Sequence, residues 1–294
     1  MSRPASQTSG DQPKAPAVPN LFQDYLAQAP QAPERPCLVG VVHLQALPGA
    51  PLFQGDLLSV LDAACRDAEA LLDGGCDAVI VENFGDVPFF PAAVPAETVA
   101  AMTLAVSRVT SLAGDRPVGV NVLRNDGRAA LGICAASAAA FVRVNVLTSA
   151  LVCDQGLIEG QAASLLRERA RLCPEVKILA DVHVKHASPL GSESPEEAAC
   201  DLVRRALADA VIVTGSGTGR STSQATLARV HQELAGRPLF IGSGLTESNA
   251  GDLLKYAGGA IVGTWLKRDG LLANPVDRDR VRRLAALFEG SVTP

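Results

Sequence analysis

Short apolar runs rich in β-branched residues recur along the chain, and each turns polar at its end. They lie at Leu38–His43, Ala78–Asn83, Val118–Val122, Phe141–Asn145, Val176–Val182, Ala210–Thr214, Leu239–Gly242 and Ala260–Gly263. Longer helical stretches fall between or after them, at Ser59–Asp73, Ala96–Leu112, Arg128–Ala138, Gly160–Cys173, Pro195–Leu207, Thr222–Ala235, Glu247–Tyr256 and Val276–Phe288. This alternation predicts eight strand–helix units of about 30 residues, the size of a βα repeat. Strands with few polar residues before their last position read as parallel and covered on both faces. Eight such units predict an α/β chain folded as a (β/α)8 TIM barrel; an open doubly wound sheet is the rival and would usually have fewer strands in this length.

The barrel is expected to span residues 37–290, with a short tail at 291–294. Residues 1 to about 20 are rich in Pro, Ser, Gln and Ala without apolar period, the composition of a disordered tail. Leu21–Leu26 reads as a short helix that could close the barrel floor, and Pro30–Pro36 as a lead-in to the first strand.

The polar strand ends are His43, Glu82 with Asn83, Asn121, Arg143 with Asn145, Asp181 onward, Thr214, Ser243 and Thr264. In a parallel barrel all of them open on one face, where barrel enzymes place their sites. Residues Ile178–Ala187 carry the densest set. On a continuing strand Asp181, His183 and Lys185 would share a face at steps of roughly 7 Å. A carboxylate, an imidazole and an amine in a row suit acid–base work; the plain alternative is an inert salt bridge at the mouth. A Schiff base on Lys185 is disfavoured, because a nearby Asp181 would keep the amine protonated. Glu82 reads as a second general base, with His43 and His183 assisting. His43, Glu82, Asp181 and His183 would also make a divalent-metal donor set, though no local metal motif compels one.

Glycines crowd the strand ends of the C-terminal half. Thr214, Gly215 and Gly217 follow the sixth strand, Gly242, Ser243 and Gly244 the seventh, and Gly263 and Thr264 the eighth. Loops after the last two strands are the usual phosphate cradle of barrels, and a helix starting near Thr246 would aim its positive end at the same anion. Tight βα turns alone would also call for glycine. Asn83, Asn121, Arg124, Asn125, Asp126, Arg143, Asn145, Asp154 and Gln155 are candidate substrate contacts. An inward Arg143 would need Glu82, Asp181 or an anionic substrate as partner. Asp126 has a plainer role as a helix cap, and the loop Val146–Glu159 reads either as a lid or as a lead-in capped by Asp154.

Composition narrows the class. The chain has 294 residues, 48% of them hydrophobic, enough for a full core, and a formal net charge of -5, which gives no general attraction to nucleic acid. Its longest apolar run, Ala129–Val142, is interrupted and too short to span a bilayer, and no signal-peptide pattern is present. Cys37, Cys65, Cys76, Cys134, Cys153, Cys173 and Cys200 form no C-x-x-C pair and read as reduced thiols of a cytoplasmic protein, with Cys153, in a polar loop, the candidate for reactivity.

Longer strings carry a family resemblance. VVHLQALPGAP (Val41–Pro51), DAVIVENFGDVPF (Asp77–Phe89), PVGVNVLRND (Pro117–Asp126), FVRVNVLTSALVCDQGLIEG (Phe141–Gly160), ILADVHVKHASPL (Ile178–Leu190), AVIVTGSGTG (Ala210–Gly219) and IVGTWLKRDGLLANPVD (Ile261–Asp277) resemble the BtpA/SgcQ family over about Leu38 to Phe288. The resemblance implies a barrel similar to the ribulose-phosphate-binding type. It also implies two roles: the cyanobacterial namesake is linked to photosystem I biogenesis at the thylakoid surface, whereas other members occur without photosynthesis, some beside sugar-utilisation genes. Leu245 and Trp265 stand where the family more usually has Val and Ser, and Trp265 would narrow the mouth. Two functions follow as expectations: an enzyme acting on a small phosphorylated, sugar- or nucleoside-like substrate, or a non-catalytic assembly and stability factor, peripheral to a membrane by resemblance alone. A homo-oligomer is open under either.

Overall fold

The structure is a computed structural model that describes residues 20–27, 35–184, 187–215 and 222–291. In chain order the strands are β1 (Cys37–His43), β2 (Ala78–Glu82), β3 (Val118–Asn121), β4 (Phe141–Val144), β5 (Ala150–Cys153), β6 (Gly156–Glu159), β7 (Lys177–Val182), β8 (Ala187–Pro189), β9 (Ala210–Val213), β10 (Leu239–Ile241) and β11 (Gly259–Val262). The α-helices are α1 (Leu21–Leu26), α2 (Leu57–Gly74), α3 (Ala96–Ala113), α4 (Gly127–Ser137), α5 (Ala162–Leu172), α6 (Pro195–Arg204), α7 (Gln224–Leu234), α8 (Ala250–Leu253) and α9 (Arg278–Glu289). Eight strands close a barrel in the order β1-β11-β10-β9-β7-β4-β3-β2. Closure runs through the parallel pairing of β1 with β11, Cys37 opposite Gly259 through Gly40 opposite Val262, so the open-sheet alternative is excluded.

Strand alternation divides the apolar residues into two layers. One set, including Val39, Val41, Ile80, Leu179, Ile212 and Ile261, fills the barrel; the other, including Leu38, Val42, Val79, Val81, Ile178 and Val211, meets the helices. Helix starts are set by side chains that take up otherwise unpaired amides. Asp56, Asp126, Ser194, Ser223 and Asp277 each accept from a first-turn N–H, and Ser194 with Glu197 forms a reciprocal capping box.

The short helix α1 does close the floor. Phe22 stacks with Phe141 at 4.6 Å and Phe240 at 5.9 Å between ring centres, and the Tyr25 hydroxyl accepts from the Leu239 amide at 2.8 Å. The tail expected before it falls on residues outside the described ones.

Three expectations need correction. The loop Val146–Glu159 is a hairpin: β5 and β6 pair across a two-residue turn, and β8 adds to β5, making a separate antiparallel sheet. Leu151 and Ile158 turn inward with Val146 and Val184, which gives this sheet its own small core. Asp154 therefore sits in the hairpin turn and caps no helix; α5 begins at Ala162 after Gln161. The helix expected from Thr246 shrinks to the four residues of α8, because the Asn249 side chain takes the Thr246 amide at 2.8 Å and holds a turn there. Strand β7 ends at Val182, and His183 adopts a left-handed backbone (φ 45°), so the shared face of Asp181, His183 and Lys185 does not extend past Asp181. Lys185 and Gly217 lie outside the described residues.

Candidate functional site

Alternation places one residue from the end of each barrel strand on the inner face: His43, Glu82, Asn121, Arg143, Asp181, Thr214, Gly242 and Gly263. Where six strands contribute side chains, the last two contribute glycine. A Cβ at Gly242 would lie 2.4 Å from Ile212 Cγ2, and one at Gly263 would lie 2.5 Å from His43 Cε1. The missing side chains leave a cavity of about 200 Å³ lined by His43, Glu82, Phe84, Arg143, Gly242–Thr246 and Val262–Trp265, among others.

Arg143 is the fixed charge of this cavity. Its Nη2 and Nε donate to Asp181 Oδ1 and Oδ2 at 2.9 and 3.0 Å, and Asn145 Nδ2 donates to the same carboxylate at 2.8 Å. Asn121 in turn donates to the Arg143 carbonyl at 3.0 Å and to Asn145 Oδ1 at 3.1 Å. Burial works against the guanidinium charge, but Asp181 and then Glu82 outweigh it and hold the group above its usual range. The remaining nitrogen, Nη1, makes no hydrogen bond among the described residues, and Nη2 stands 3.3 Å from where a Gly242 Cβ would be. A planar cation locked by a carboxylate behind it, beside a strand end with no side chain, is suited to an anion.

The backbone adds donors. Ser243 Oγ accepts the Gly215 amide at 3.0 Å, and Thr222 Oγ1 donates to the Ser243 carbonyl at 3.1 Å, which ties the loops after β9 and β10 together. Gly244, Leu245, Thr264 and Trp265 line the cavity, and their amides are taken up by no acceptor among the described residues. Trp265 itself is fixed by Arg280, which stacks on its ring at 4.4 Å and donates to its carbonyl at 2.6 Å.

The cavity thus gathers His43, Glu82, Arg143, Gly242, Ser243, Gly244, Gly263 and Thr264 of the residues expected from sequence. Asp181 stands behind Arg143, its side chain 0% exposed and held by Arg143 and Asn145, and it is not among the residues lining the cavity. Thr214 donates to the His183 carbonyl at 3.3 Å. His183 is half-buried off the cavity wall; burial pushes its imidazole pKa down, against the pull of Glu193 and Glu196. The metal set is not assembled, since Asp181 is engaged by Arg143 and Asn145, and the described residues hold no cluster of three or more metal-ligating side chains.

The other expected contacts organise loops. Asn83 accepts from Leu123 at 2.7 Å and donates to Asp86 at 3.0 Å, while Asp86 accepts from Leu47 at 2.8 Å, so the loops after β1, β2 and β3 are joined. Burial raises the Asp86 carboxyl despite these bonds. Asn125 clamps Val146 through both its amide and its carbonyl, at 2.8 and 2.9 Å. Arg124 is buried, its amide donating to the Phe90 carbonyl at 3.1 Å, and does not line the cavity. Asp126 caps α4 and also accepts from Val94 at 2.8 Å, the plainer of its two expected roles. Asp154 and Gln155 bond each other at the hairpin turn. All seven cysteines are free thiols; Cys37, Cys76 and Cys134 are deeply buried and pushed well above the usual thiol range, and Cys153 Sγ lies 3.2 Å from Gln155 Oε1. Sequence reasoning missed Phe84 on the cavity wall, a position that carries no catalytic residue type or motif.

A model of the BtpA family matches residues 34–290. The chain belongs to the BtpA family. This BtpA-family chain is 49% identical to an uncharacterized protein of Thermococcus kodakarensis over 254 residues, 86% of this chain and 95% of that one. It is 44% identical to the photosystem I biogenesis protein BtpA of Synechocystis over 272 residues, 92% of each chain. Among solved structures its barrel is similar to phosphoribosyl anthranilate isomerase from Thermus thermophilus (TM-score 0.51, 12% identity, 86% of this chain and 98% of that one) and to KGPDC from Streptococcus mutans (0.55, 13%, 87% and 98%). At those identities the likeness is one of fold. No helix among the described residues is long and apolar enough to cross a membrane.

Proposed function

We propose that this BtpA-family barrel is an enzyme that holds a small phosphorylated compound by its phosphate and moves a proton on it. The observation that carries the reading is Arg143, locked by Asp181 and presented beside two side-chain-free strand ends, with Gly244, Leu245, Thr264 and Trp265, whose amides lack an acceptor among the described residues, lining the same cavity. These groups bind the anion; Glu82 and His43, on the same wall, are the proton-handling groups. Lys185, just beyond β7, is the proposed further proton donor. Inorganic phosphate and ribose 5-phosphate should bind saturably and raise stability by about 2.7 kcal/mol at a concentration near 100 Kd. Arg143→Met should abolish that binding, whereas Glu82→Gln should keep it. Absence of saturable phosphate binding to the intact protein sinks the reading.

A second reading rests on the 44% identity to the Synechocystis photosystem I biogenesis protein across nearly the whole of both chains. As an assembly factor, the chain would lose function through substitutions on the outer helices and keep it through Glu82→Gln.

A further inference from the structure

A second and larger cavity, about 780 Å³, adjoins the first. His43 and Phe84 line both. The segment after β11 borders both as well: Thr264, Trp265 and Gly270 face the first cavity, and Lys267, Arg268 and Leu272–Val276 the second. The far wall of the second is α2, with Val60, Ala63 and Ala64. The chamber is mostly apolar, with Gln45 and Asn274 among its polar members, while Arg66 and Arg268, both exposed, have no ion-pair partner among the described residues.

The segment is fastened deliberately. Lys267 is 2% exposed and donates to Asp67 of α2 at 2.5 Å, and Asp67 accepts from the Val276 amide at 2.8 Å. A buried ion pair is a costly way to stabilise a connection, but it fixes geometry. Here it holds the outer wall of the chamber at a set distance from the helix. Phe84, in edge contact with His43 at 5.2 Å and Phe89 at 6.3 Å, presents an aromatic surface at the junction.

Size separates the roles of the two cavities. About 200 Å³ accommodates an anionic head and few other atoms, below the roughly 300–1,000 Å³ of small-molecule sites, whereas the second falls inside that range. Resting on the phosphate reading above, we infer that one ligand occupies both chambers: its phosphate lies at Arg143, and an apolar, ring-bearing body passes His43 and Phe84 into the chamber against α2. The substrate class is then a phosphorylated compound carrying a ring, longer than a simple sugar phosphate, and the rim arginines favour an acidic substituent on that ring.

The test is calorimetric titration of the full chain with inorganic phosphate, ribose 5-phosphate and a nucleoside 5′-monophosphate as the ring-bearing probe. The nucleotide should bind at least tenfold more tightly than ribose 5-phosphate. Ala63→Phe, which fills the second chamber from a half-buried position on α2, should erase that advantage and leave inorganic phosphate within twofold; Ala273→Trp does the same from the opposite wall should the first variant fold poorly. Equal affinities for the two organic phosphates, unmoved by either substitution, overturn the two-chamber ligand and leave the phosphate site standing. Failure of all three probes to bind overturns both.

Discussion

Arg143 and Asp181 meet across paired strands β4 and β7 through two nearly parallel hydrogen bonds of 2.9 and 3.0 Å, with side chains 6% and 0% exposed. Two ionised groups held this far from water must be kept together, since either alone would be a buried charge without compensation. Asp181→Asn should therefore cost about 3–5 kcal/mol, and Arg143→Met a similar amount. The double variant Arg143→Met/Asp181→Leu should recover most of that stability in urea unfolding while binding no phosphate. A double variant as unstable as the sum of the singles would mean the two side chains are not coupled.

The bare strand ends should be intolerant for a reason separate from stability. Gly263→Ala puts a methyl group against the His43 ring, and Gly242→Ala puts one against Ile212 and Thr214, 3.3 Å from Arg143 Nη2. Each should weaken phosphate binding by about tenfold or more, roughly 1.4 kcal/mol. Unchanged phosphate affinity in Gly263→Ala would show that the anion does not sit in this cavity.

Floor and mouth should respond independently. Burial pushes the Tyr25 phenol up to about 12, against the backbone bonds at Leu239 and Gly258 that favour its ionised form. A folded pKa above the unfolded one means that the contribution is complete below pH 10 and is lost as pH climbs from about 10 through 12. The wild type should lose on the order of 2–3 kcal/mol more than Tyr25→Phe across that window. At neutral pH Tyr25→Phe should cost about 1–3 kcal/mol, because the Leu239 amide loses its acceptor, and phosphate binding should not change. Parallel alkaline unfolding curves for the two proteins would contradict this.

Two aspartates that look alike in sequence should behave differently. Asp126→Ala removes the α4 cap and the bond to Val94 and should lower stability by about 0.5–2 kcal/mol without touching phosphate affinity. Asp154→Ala, at an exposed hairpin turn, should stay within roughly 0.5 kcal/mol of wild type by thermal unfolding. A loss of ligand binding in either variant would return that residue to the site.

The segment over the second chamber should be released by Asp67→Ala. Lys267 would be left buried without its carboxylate, and amide exchange across residues 267–276 should accelerate by tenfold or more. Protection equal to wild type would mean that packing alone holds the segment.

Much of this was legible before any coordinates. The change from apolar to polar at each strand end is a one-dimensional signal, because a parallel strand buried on both faces has nowhere to place a polar residue except at its exit. That signal located His43, Glu82, Arg143 and the glycines at 242 and 263. The hairpin at β5 and β6 was missed because half its apolar residues face outward, although Gly156 at φ 95° after Asp154-Gln155 is a hairpin cue. The row Asp181, His183, Lys185 misled because periodicity assumes the strand continues, and the left-handed backbone at His183 ends it.

That eight strands would be parallel, buried and polar-tipped can be read from the chain alone, since hydrophobic period and strand length are properties of neighbouring residues. Which polar tips face the cavity, and which are used up behind it, depends on contacts across the closed barrel. Asp181 is 38 residues from the arginine that engages it, and Asp67 is 200 residues from Lys267. Pairings at that separation are fixed by barrel closure and by the cost of leaving a buried charge alone, and neither is written in any local stretch of the chain.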